Sequence, residues 1–596
     1  MVGAIFGLLI TDPYHPAWEP WLQRWFLPLL VPAILVNAGG LLIPVMEPDG
    51  ALYATIAKTM ARSGDFVHLF VNGRDWLDKP HFPFWMAALS FRVFGVNGFA
   101  YKFPALLFWG AGAWYTWRLA RSLYGKPVAQ LATLIYVSAA HLVISNNDVR
   151  AEPYLTGLLI GSVYHFYRLS RGRSWVHLVA GSALAAAAVM TKGPFVLLVI
   201  GAAFAVDWSV GKEWRRPLQI RWWLATALTA LLILPELYCL YVQFDLHPEK
   251  QVFGQTGVSG IRFFFWGSQF GRFFNNGPIR GSGDPFFYFH TVLWAFLPWS
   301  VLLYAAVIRR FRSPRRAVPG DWICAGGALA GFALFSLSRF QLPHYLNILF
   351  PSFAILTAAW LFGIRRAWER RFVRIVQHIV SLLLPFLLLL LTVISRFPGW
   401  PWVMAGITVL AVLPWIFIRG GEGPGLAGKE GPGLEGKGVL GLEGKAVPGR
   451  EGKSVSGPVA RSFWMALLAY GFVNFFLYPA ILQYQAGTQA GRWLGRRAGI
   501  PAVYLLREAP VDYSIEFDSP VPVRVVPTDS LSGVLARGPV TVFAPLSYGD
   551  TLAGKGFRVE VLRQFPNFHI SRLTGEFLDA RTRPEVLESY ALLTIR

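Results

Sequence analysis

The sequence predicts a mainly α-helical protein that crosses a membrane many times and ends in a small α/β region. Of its 596 residues, 54% are hydrophobic and only 15% are charged, which is less charge than soluble domains carry. Apolar runs such as Trp222–Val242 and Val376–Ile394 recur along the chain. A span needs roughly 20 such residues, and this rule predicts about thirteen spans. Strand-like patterns replace the long apolar runs only after residue 482.

The net charge of +22 would suggest a nucleic-acid partner in a soluble protein. Here the basic residues cluster in every second loop between spans, as the positive-inside rule expects, so no nucleic-acid partner is predicted. The alternation places the basic loops in the cytoplasm and the other loops outside. The basic loops contain Arg118, Arg121 and Lys126, then Arg168, Arg171 and Arg173, then Lys212, Arg215, Arg216 and Arg221, then Arg309, Arg310, Arg312, Arg315 and Arg316, then Arg365, Arg366, Arg370, Arg371 and Arg374.

Four segments are predicted along the chain. Residues 1–418 form the membrane body, residues 419–462 a low-complexity Gly/Lys/Glu loop in the cytoplasm, residues 463–482 the last span, and residues 483–596 an α/β domain outside. In the last segment, alternating apolar residues and turn residues predict strands, and the final stretch predicts a helix. The predicted strands are Ala502–Leu506, Val523–Val526, Val540–Phe543 and Phe557–Leu562, and the predicted helix is Arg581–Leu593.

The outer loop that follows the first span is predicted to contain two interfacial helices. From Asp49 to Arg62 the apolar side chains fall on one helical face, which is typical of a helix lying in the membrane interface. A second amphipathic stretch covers Phe82–Phe94. Asp49 stands at the start of the first helix, where a carboxylate also favours the helix dipole. A purely structural role for Asp49 is therefore the alternative to a chemical one.

The predicted outer loops collect ionisable side chains, which are costly near a membrane and usually have a function. A plain surface ion pair is one interpretation of Asp78 and Lys79. In an aromatic-rich interfacial loop, such a lysine could instead bind a phosphate. Cations for a phosphate, aromatics for an isoprenoid and a carboxylate as base would suit an anionic lipid that carries a sugar. The candidates from these loops are Asp49, Arg62, Asp78, Lys79, Asp148, Glu152, Lys192, Arg272, Arg339, His344 and Tyr345.

Four segments, in this order and on the same predicted side, resemble the GT-C glycosyltransferases of the protein O-mannosyltransferase and lipid A aminoarabinose transferase group. They are Pro48-Asp49-Gly50-Ala51-Leu52-Tyr53-Ala54 continuing to Asp65, Lys79-Pro80 with Trp85, Thr191-Lys192-Gly193-Pro194, and Phe335-Ser336-Leu337-Ser338 with Leu342-Pro343, Tyr345 and Pro351. The resemblance covers most of the chain and implies a GT-C type membrane fold.

The resemblance also implies roles for individual residues. Asp49 matches the catalytic base of the family, while Lys79, Arg272 and Tyr345 match ligands of the donor phosphate. Some relatives hold a divalent metal with an acidic residue before the Lys-Pro motif and a histidine. Asp78 matches that acidic residue, but no histidine partner is evident, so no cofactor is required and a divalent metal stays open. Gly50, the Ser268–Gly271 stretch and Gln341 depart from the family pattern, which argues against assuming aminoarabinose or lipid A as substrates.

The expected function is an inverting transfer of a sugar from a polyprenyl-phosphate donor to a lipid A, envelope glycan or protein hydroxyl acceptor. The expected place is the bacterial inner membrane, among membrane lipids, with the reaction centre and the C-terminal domain facing the periplasm. The alternative is a multi-span transporter or flippase, and a non-catalytic scaffold is a third reading. The polar residues gather in outer loops rather than inside spans, which favours the enzyme. Glu236 is the main exception. A proton or cation site is one interpretation of it, and a partly exposed span end is the simpler one.

Overall fold

The computed structural model describes residues 18–172, 174–312, 320–418, 455–497 and 499–596. Most of the predicted low-complexity loop, at 419–454, lies outside the described residues, as do Arg173, Arg315 and Arg316 of the basic loops. The last span begins at Ser456, earlier than the predicted start at residue 463.

The protein is a multi-pass membrane protein whose helices form one bundle. Seven helices of the described chain are long and apolar enough to cross a membrane, and one bent pair, with an angle of 51°, could form an eighth span. The seven are Glu19–Leu42, Trp175–Lys192, Ile220–Asp245, Pro343–Phe362, Ala367–Ser395, Trp400–Phe417 and Ser456–Tyr484; the bent pair is Lys126–Val137 with Ala140–Asn147; the shorter apolar helices are Phe82–Phe94, Phe195–Val210 and Ile323–Leu337. The count of about thirteen spans stays a prediction.

Two further long helices, Gly98–Tyr124 and Glu152–Arg171, pack closely in the centre of the bundle. Gly157 makes this approach necessary, since a Cβ there would lie 2.1 Å from the carbonyl oxygen of Phe108. Small residues let membrane helices come this near to each other. Cys239 and Cys324 are free and buried. The membrane body also contains the helices Phe287–Ala295 and Ser300–Arg312.

The first outer loop contains both predicted helices, at Asp49–Ser63 and Phe82–Phe94. Between them, β1 (Phe70–Val71) and β2 (Arg74–Asp75) pair antiparallel. The first helix is covered on more sides than an interfacial helix would be, since Thr55 and Lys58 are buried beneath the C-terminal region.

The C-terminal region contains five strands: β3 (Val503–Leu506), β4 (Val523–Val526), β5 (Val540–Pro545), β6 (Val559–Asn567) and β7 (Glu588–Ile595). They form one sheet in the order β4-β3-β5-β7-β6. The strands β3 and β4 pair parallel, as do β3 and β5, whereas β7 runs antiparallel to both of its neighbours. The helices of the region are Ala486–Leu494, Tyr513–Asp518, Leu531–Leu535, Ser547–Gly554 and Gly575–Leu578. All four predicted strands are present.

The helix predicted at Arg581–Leu593 is wrong. A single 3₁₀ turn, Arg583–Val586, precedes the strand β7. Within β7, Leu592 packs into one apolar cluster and Ala591 and Leu593 into another, on the opposite face of the sheet. A strand that is buried on both faces gives a continuous apolar run, which periodicity alone does not distinguish from a buried helix.

Candidate active site

A cavity of about 130 Å³ lies where the first outer loop meets the bundle. It brings together side chains from six separate parts of the chain, including most of the candidates predicted from sequence. Its lining consists of Asp49, Tyr53, Asp78, Lys79, Arg150, Ala151, Glu152, Lys192, Arg272, Ile279, Phe340, Leu342, His344 and Tyr345.

One side of the cavity carries two cations that share one carboxylate. Lys79 Nζ lies 2.5 Å from Asp78 Oδ2, and Arg272 donates to Asp78 Oδ1. The Arg272 guanidinium also lies 5.5 Å from the centre of the Phe340 ring. These side chains are mostly buried, so the alternative of a plain surface ion pair at Asp78 and Lys79 is wrong.

Burial and charge act against each other in this group. Burial raises the pKa of Asp78, but Lys79 and Arg272 outweigh it and leave that pKa below its usual value. Burial lowers the pKa of Lys79, and Asp78 restores only part of the difference. A second anion beside Lys79 and Arg272 would therefore be attracted, because two cations here face a single carboxylate.

Glu152 and Lys192 form an ion pair on the neighbouring wall. Lys192 Nζ also lies 3.6 Å from the centre of the Tyr345 ring, and His344 Nε2 lies 3.7 Å from Glu152 Oε1. The second oxygen of Glu152 is buried and has no hydrogen-bond partner in the described part of the chain. A buried acceptor without a partner is uncommon in folded proteins.

Asp49 occupies the first turn of its helix on another side of the cavity, with 37% of its side chain exposed. Its Oδ2 lies 2.7 Å from Arg150 Nη1. Arg150 also donates to Asp148 from Nε and Nη2, at 3.0 and 2.8 Å. Pro48 stands at the N-cap of the helix and makes no side-chain capping hydrogen bond. Among the described contacts, the ion pair with Arg150 orients the Asp49 carboxylate.

The Asp78-Lys79 segment is anchored from behind by a buried pair. Both oxygens of Glu236 lie 3.0 Å from His81, one from its backbone nitrogen and the other from Nδ1. His81 Nε2 lies 2.9 Å from the carbonyl oxygen of Val67. The interpretation of Glu236 as a partly exposed span end is wrong, because its side chain is fully buried. Its partner lies 155 residues away, which no local pattern reveals.

Two predicted candidates lie away from the cavity. Arg62 is exposed near the end of its helix, about 20 Å from Asp49 at the helical rise of 1.5 Å per residue. Arg339 is exposed in the turn before Pro343, where its backbone nitrogen donates to the carbonyl oxygen of Phe273. Asp148 reaches the site only through Arg150.

The residues around Asp78 do not fit a divalent metal. Both Asp78 oxygens already face cations, which would repel a second positive charge. The described ranges contain no group of three His, Cys, Asp or Glu side chains placed to hold an ion. The nearest histidine in sequence, His81, is engaged with Glu236 and the carbonyl of Val67. The donor set that divalent cations require is therefore lacking here.

An apolar groove of about 290 Å³ adjoins the cavity and shares four of its lining residues, Lys192, Arg272, Phe340 and Tyr345. The groove passes between helix Phe195–Val210 and the aromatic stretch that follows residue 262. Its other lining residues are Pro194, Phe195, Leu198, Phe265, Ser268, Gln269, Phe270, Phe273, Leu334, Phe335 and Ser338. A polar cavity that opens into an apolar groove fits an amphipathic ligand with an anionic head.

Sequence comparison finds relatives with polyprenyl-phosphate chemistry. Residues 78–238 match the family model described as dolichyl-phosphate-mannose-protein mannosyltransferase. An uncharacterized protein of Aquifex aeolicus is 27% identical over 353 residues, which is 57% of this chain and 64% of that protein. The undecaprenyl phosphate-alpha-4-amino-4-deoxy-L-arabinose arabinosyl transferase 1 of Pseudomonas fluorescens is 27% identical over 338 residues, which is 54% of this chain and 56% of that protein. The chain thus aligns with less than two thirds of the length of these relatives.

Structural comparison extends the likeness to nearly the whole fold. The crystal structure of ArnT from Cupriavidus metallidurans bound to undecaprenyl phosphate matches with a TM-score of 0.70 at 18% identity, covering 95% of this chain and 98% of that one. The oligosaccharyltransferase of Archaeoglobus fulgidus matches with a TM-score of 0.50 at 10% identity, covering 89% of this chain and 71% of that one. The chain therefore has the fold of these membrane proteins, and its sequence is similar to the protein mannosyltransferases and the aminoarabinose transferases.

Proposed function

We propose that this protein transfers a sugar from a polyprenyl-phosphate donor to an acceptor on the periplasmic side of the bacterial inner membrane. The observation that carries the proposal is a single cavity that holds a carboxylate, Asp49, together with the cations Lys79 and Arg272, and that opens into an apolar groove. The relatives named for an undecaprenyl phosphate donor support the carrier class.

The donor phosphate is placed between Lys79 and Arg272, with the Tyr345 hydroxyl as a further donor. The isoprenoid then lies in the apolar groove beside Phe335 and Phe340, where its burial stabilises the complex by about 0.8 kcal/mol per CH₂ group. Cations already positioned at the phosphate stabilise the negative charge that develops as the sugar leaves.

The reaction is a single displacement at the anomeric carbon. A new bond forms between an acceptor oxygen and the anomeric carbon, while the bond from that carbon to the phosphate oxygen breaks. The bonding electrons leave with the polyprenyl phosphate, and attack on the opposite face inverts the configuration. If the acceptor is a hydroxyl, its proton passes to Asp49 Oδ1. If the acceptor is a phosphate, no proton is released and Asp49 positions the acceptor.

Arg150 acts as a positioning residue for Asp49. Its guanidinium holds Asp49 Oδ2 and Asp148 at the same time, which fixes the direction in which Oδ1 points. The names of the aligned relatives make a 4-amino-4-deoxy-arabinose the first sugar to test, and lipid A is the first acceptor. Envelope glycans and protein hydroxyls follow as acceptors.

A transporter or flippase would also need many spans and charged residues. Such proteins place substrate sites at mid-membrane, between repeated halves of the fold. In this protein the charges gather beside an outer-loop helix, and Glu236, a fully buried acid inside a span, anchors the Lys79 segment through His81. The geometry therefore favours group transfer over transport.

The test uses purified protein in detergent with undecaprenyl phosphate that carries labelled 4-amino-4-deoxy-arabinose, and then labelled hexoses, with lipid A as acceptor. The wild type is expected to transfer label, and Asp49→Asn is expected to lose roughly 10²- to 10⁴-fold in rate while still binding undecaprenyl phosphate. Asp550→Asn, an exposed change in the C-terminal region, serves as the control. Carrier binding without turnover by the wild type, for every donor and acceptor, would contradict the proposal.

A further inference from the structure

The segment between the first span and Asp49 is held by side chains from distant parts of the chain. On the bundle side, Lys102 Nζ donates to the carbonyl oxygens of Gly40, Ile43 and Pro44, at 3.1, 2.8 and 3.2 Å. Lys102 is only 1% exposed. Three carbonyl groups therefore point at one buried ammonium group, which fixes the end of the first span. Residues 45–48 need other contacts to hold them in place.

The C-terminal region holds those residues. Gln485 Nε2 donates to the carbonyl oxygen of Val45 at 2.9 Å, and Gln485 Oε1 accepts from the backbone nitrogen of Glu47 at 3.0 Å. This pair of bonds is the pattern that a neighbouring strand would make, here supplied by one side chain that is 2% exposed. The Glu47 side chain in turn accepts a hydrogen bond from the backbone nitrogen of Ser514. Asp49 follows two residues later.

The same region also holds the helix that begins at Asp49. Lys58 Nζ donates to the carbonyl oxygens of Glu516, Phe517 and Ser519, at 2.5, 2.8 and 3.1 Å, and so caps the helix Tyr513–Asp518. Cations are favourable at the C-terminal end of a helix. Thr55 Oγ1 donates to the carbonyl oxygen of Tyr513 at 3.3 Å. The two helices are therefore joined at several points along their length.

The donor side of the cavity is built differently. Lys79 and Arg272 are held by Asp78, and the Tyr345 ring packs against Lys192 and Phe335. These partners all belong to the membrane body. Positioning of Asp49 and binding of the carrier phosphate thus depend on different contacts, and a change in one set can be separated from a change in the other.

We propose that the C-terminal region is a positioning element of the reaction centre. Gln485 sets the course of the backbone that leads into Asp49, while Arg150 orients the Asp49 carboxylate itself. This inference rests on the proposed function for its kinetic consequence but not for its structural one. The region then contributes to the rate of transfer rather than to the affinity for the carrier. A displacement of about 1 Å at a reacting group can cost on the order of 10²-fold in rate.

The test compares Gln485→Leu with Arg583→Met. The first change removes, at similar volume, the two hydrogen bonds to Val45 and Glu47 and a third to Thr488 Oγ1 within the C-terminal region. Arg583 forms another buried contact between the C-terminal region and the bundle, donating to the carbonyl oxygen of Ser395 at 2.6 Å and lying 4.0 Å from the centre of the Phe397 ring. Both variants weaken the attachment of the region, but only the first touches the segment before Asp49. Hydrogen–deuterium exchange of the peptide covering residues 43–52, kcat, and the Kd for undecaprenyl phosphate are measured for each.

Gln485→Leu is expected to speed exchange in residues 43–52 and to lower kcat about tenfold to a hundredfold, with the Kd for undecaprenyl phosphate unchanged. Arg583→Met is expected to lower the melting temperature but to leave that exchange and kcat near wild type. Unchanged exchange in Gln485→Leu, or an equal loss of kcat in both variants, would overturn the inference. A wild type that transfers no sugar would contradict the proposed function instead, and the exchange measurement would still decide whether Gln485 orders this segment.

Discussion

At the scale of single residues, Lys79 offers the most direct test of carrier binding. Its ammonium is mostly buried and faces one carboxylate that it shares with Arg272, so a bound phosphate would be its second anionic partner. A hydrogen bond to a charged group contributes about 1.5–3 kcal/mol. We therefore expect Lys79→Met to raise the Kd for undecaprenyl phosphate about 10- to 150-fold. The control is Lys250→Met, which breaks the ion pair with Asp75, a residue of the same loop as Lys79. It should leave the Kd for undecaprenyl phosphate unchanged. An equal rise of the Kd in both variants would argue against phosphate binding at Lys79.

Arg150 tests a different step. Its planar guanidinium reaches Asp49 from one nitrogen and Asp148 from two others, whereas a lysine can hold only one of these carboxylates well. Arg150→Lys is expected to lower kcat about tenfold or more and to leave the Kd for undecaprenyl phosphate within about twofold of wild type. Arg168→Lys, in the helix that follows, is the matched change away from the cavity. A raised Kd for undecaprenyl phosphate with a normal kcat would indicate that Arg150 binds the carrier and does not position Asp49.

At the scale of elements, the apolar groove leads to a prediction about how the affinity for a polyprenyl phosphate depends on its chain length. Leu198 lines the groove on helix Phe195–Val210, while its neighbour Leu197 faces outward without lining it. Leu198→Gln is expected to weaken binding of a long-chain polyprenyl phosphate several-fold, because about 0.8 kcal/mol is lost for each CH₂ group no longer buried. A short-chain analogue should be affected much less. Leu197→Gln places the same polar group in the membrane and should leave the affinity for both the long-chain carrier and the short-chain analogue unchanged. If the two variants lose affinity equally, the carrier lies outside this groove.

The elements also show how far local sequence reasoning reaches. The helix at Asp49–Ser63, the helix at Phe82–Phe94 and the neighbours Asp78 and Lys79 depend on residues close together in sequence, and their patterns predicted them. The pairing of Arg150 with Asp49 and of Glu236 with His81 depends on the packing of helices that are far apart in sequence. Periodicity contains no information about such contacts. It therefore predicts neither Arg150 as a residue of the site nor the burial of Glu236.

At the scale of the whole molecule, the attachment of the C-terminal region to the first outer loop should depend on pH. Burial, and then the neighbouring Asp512 carboxyl, raises the pKa of Glu47 well above its usual value. Burial also raises the pKa of Glu516 to about 7 and of Asp518 to about 6. Lys58 faces these two acids, and Tyr513 and Tyr590 lie close to Glu47. Three acids whose pKa values are raised in the folded state therefore meet at one interface.

The sign of the effect follows from proton binding. Between the unfolded and the folded pKa the folded protein binds more protons, so the free energy of unfolding falls as pH rises through this range. We expect the melting temperature to fall between about pH 5 and pH 7.5, and exchange in residues 43–52 to become faster over the same interval. Burial lowers the pKa of Lys58 to about 8, so that group titrates above the interval.

The double variant Glu47→Gln with Glu516→Gln keeps the side-chain volumes but cannot ionise at these two positions. The pH dependence of its melting temperature should be flatter than that of wild type. The control, Arg583→Met, should lower the melting temperature at every pH without changing the slope of melting temperature against pH. If that slope is as steep in the double variant as in wild type, the titrating groups lie outside this interface.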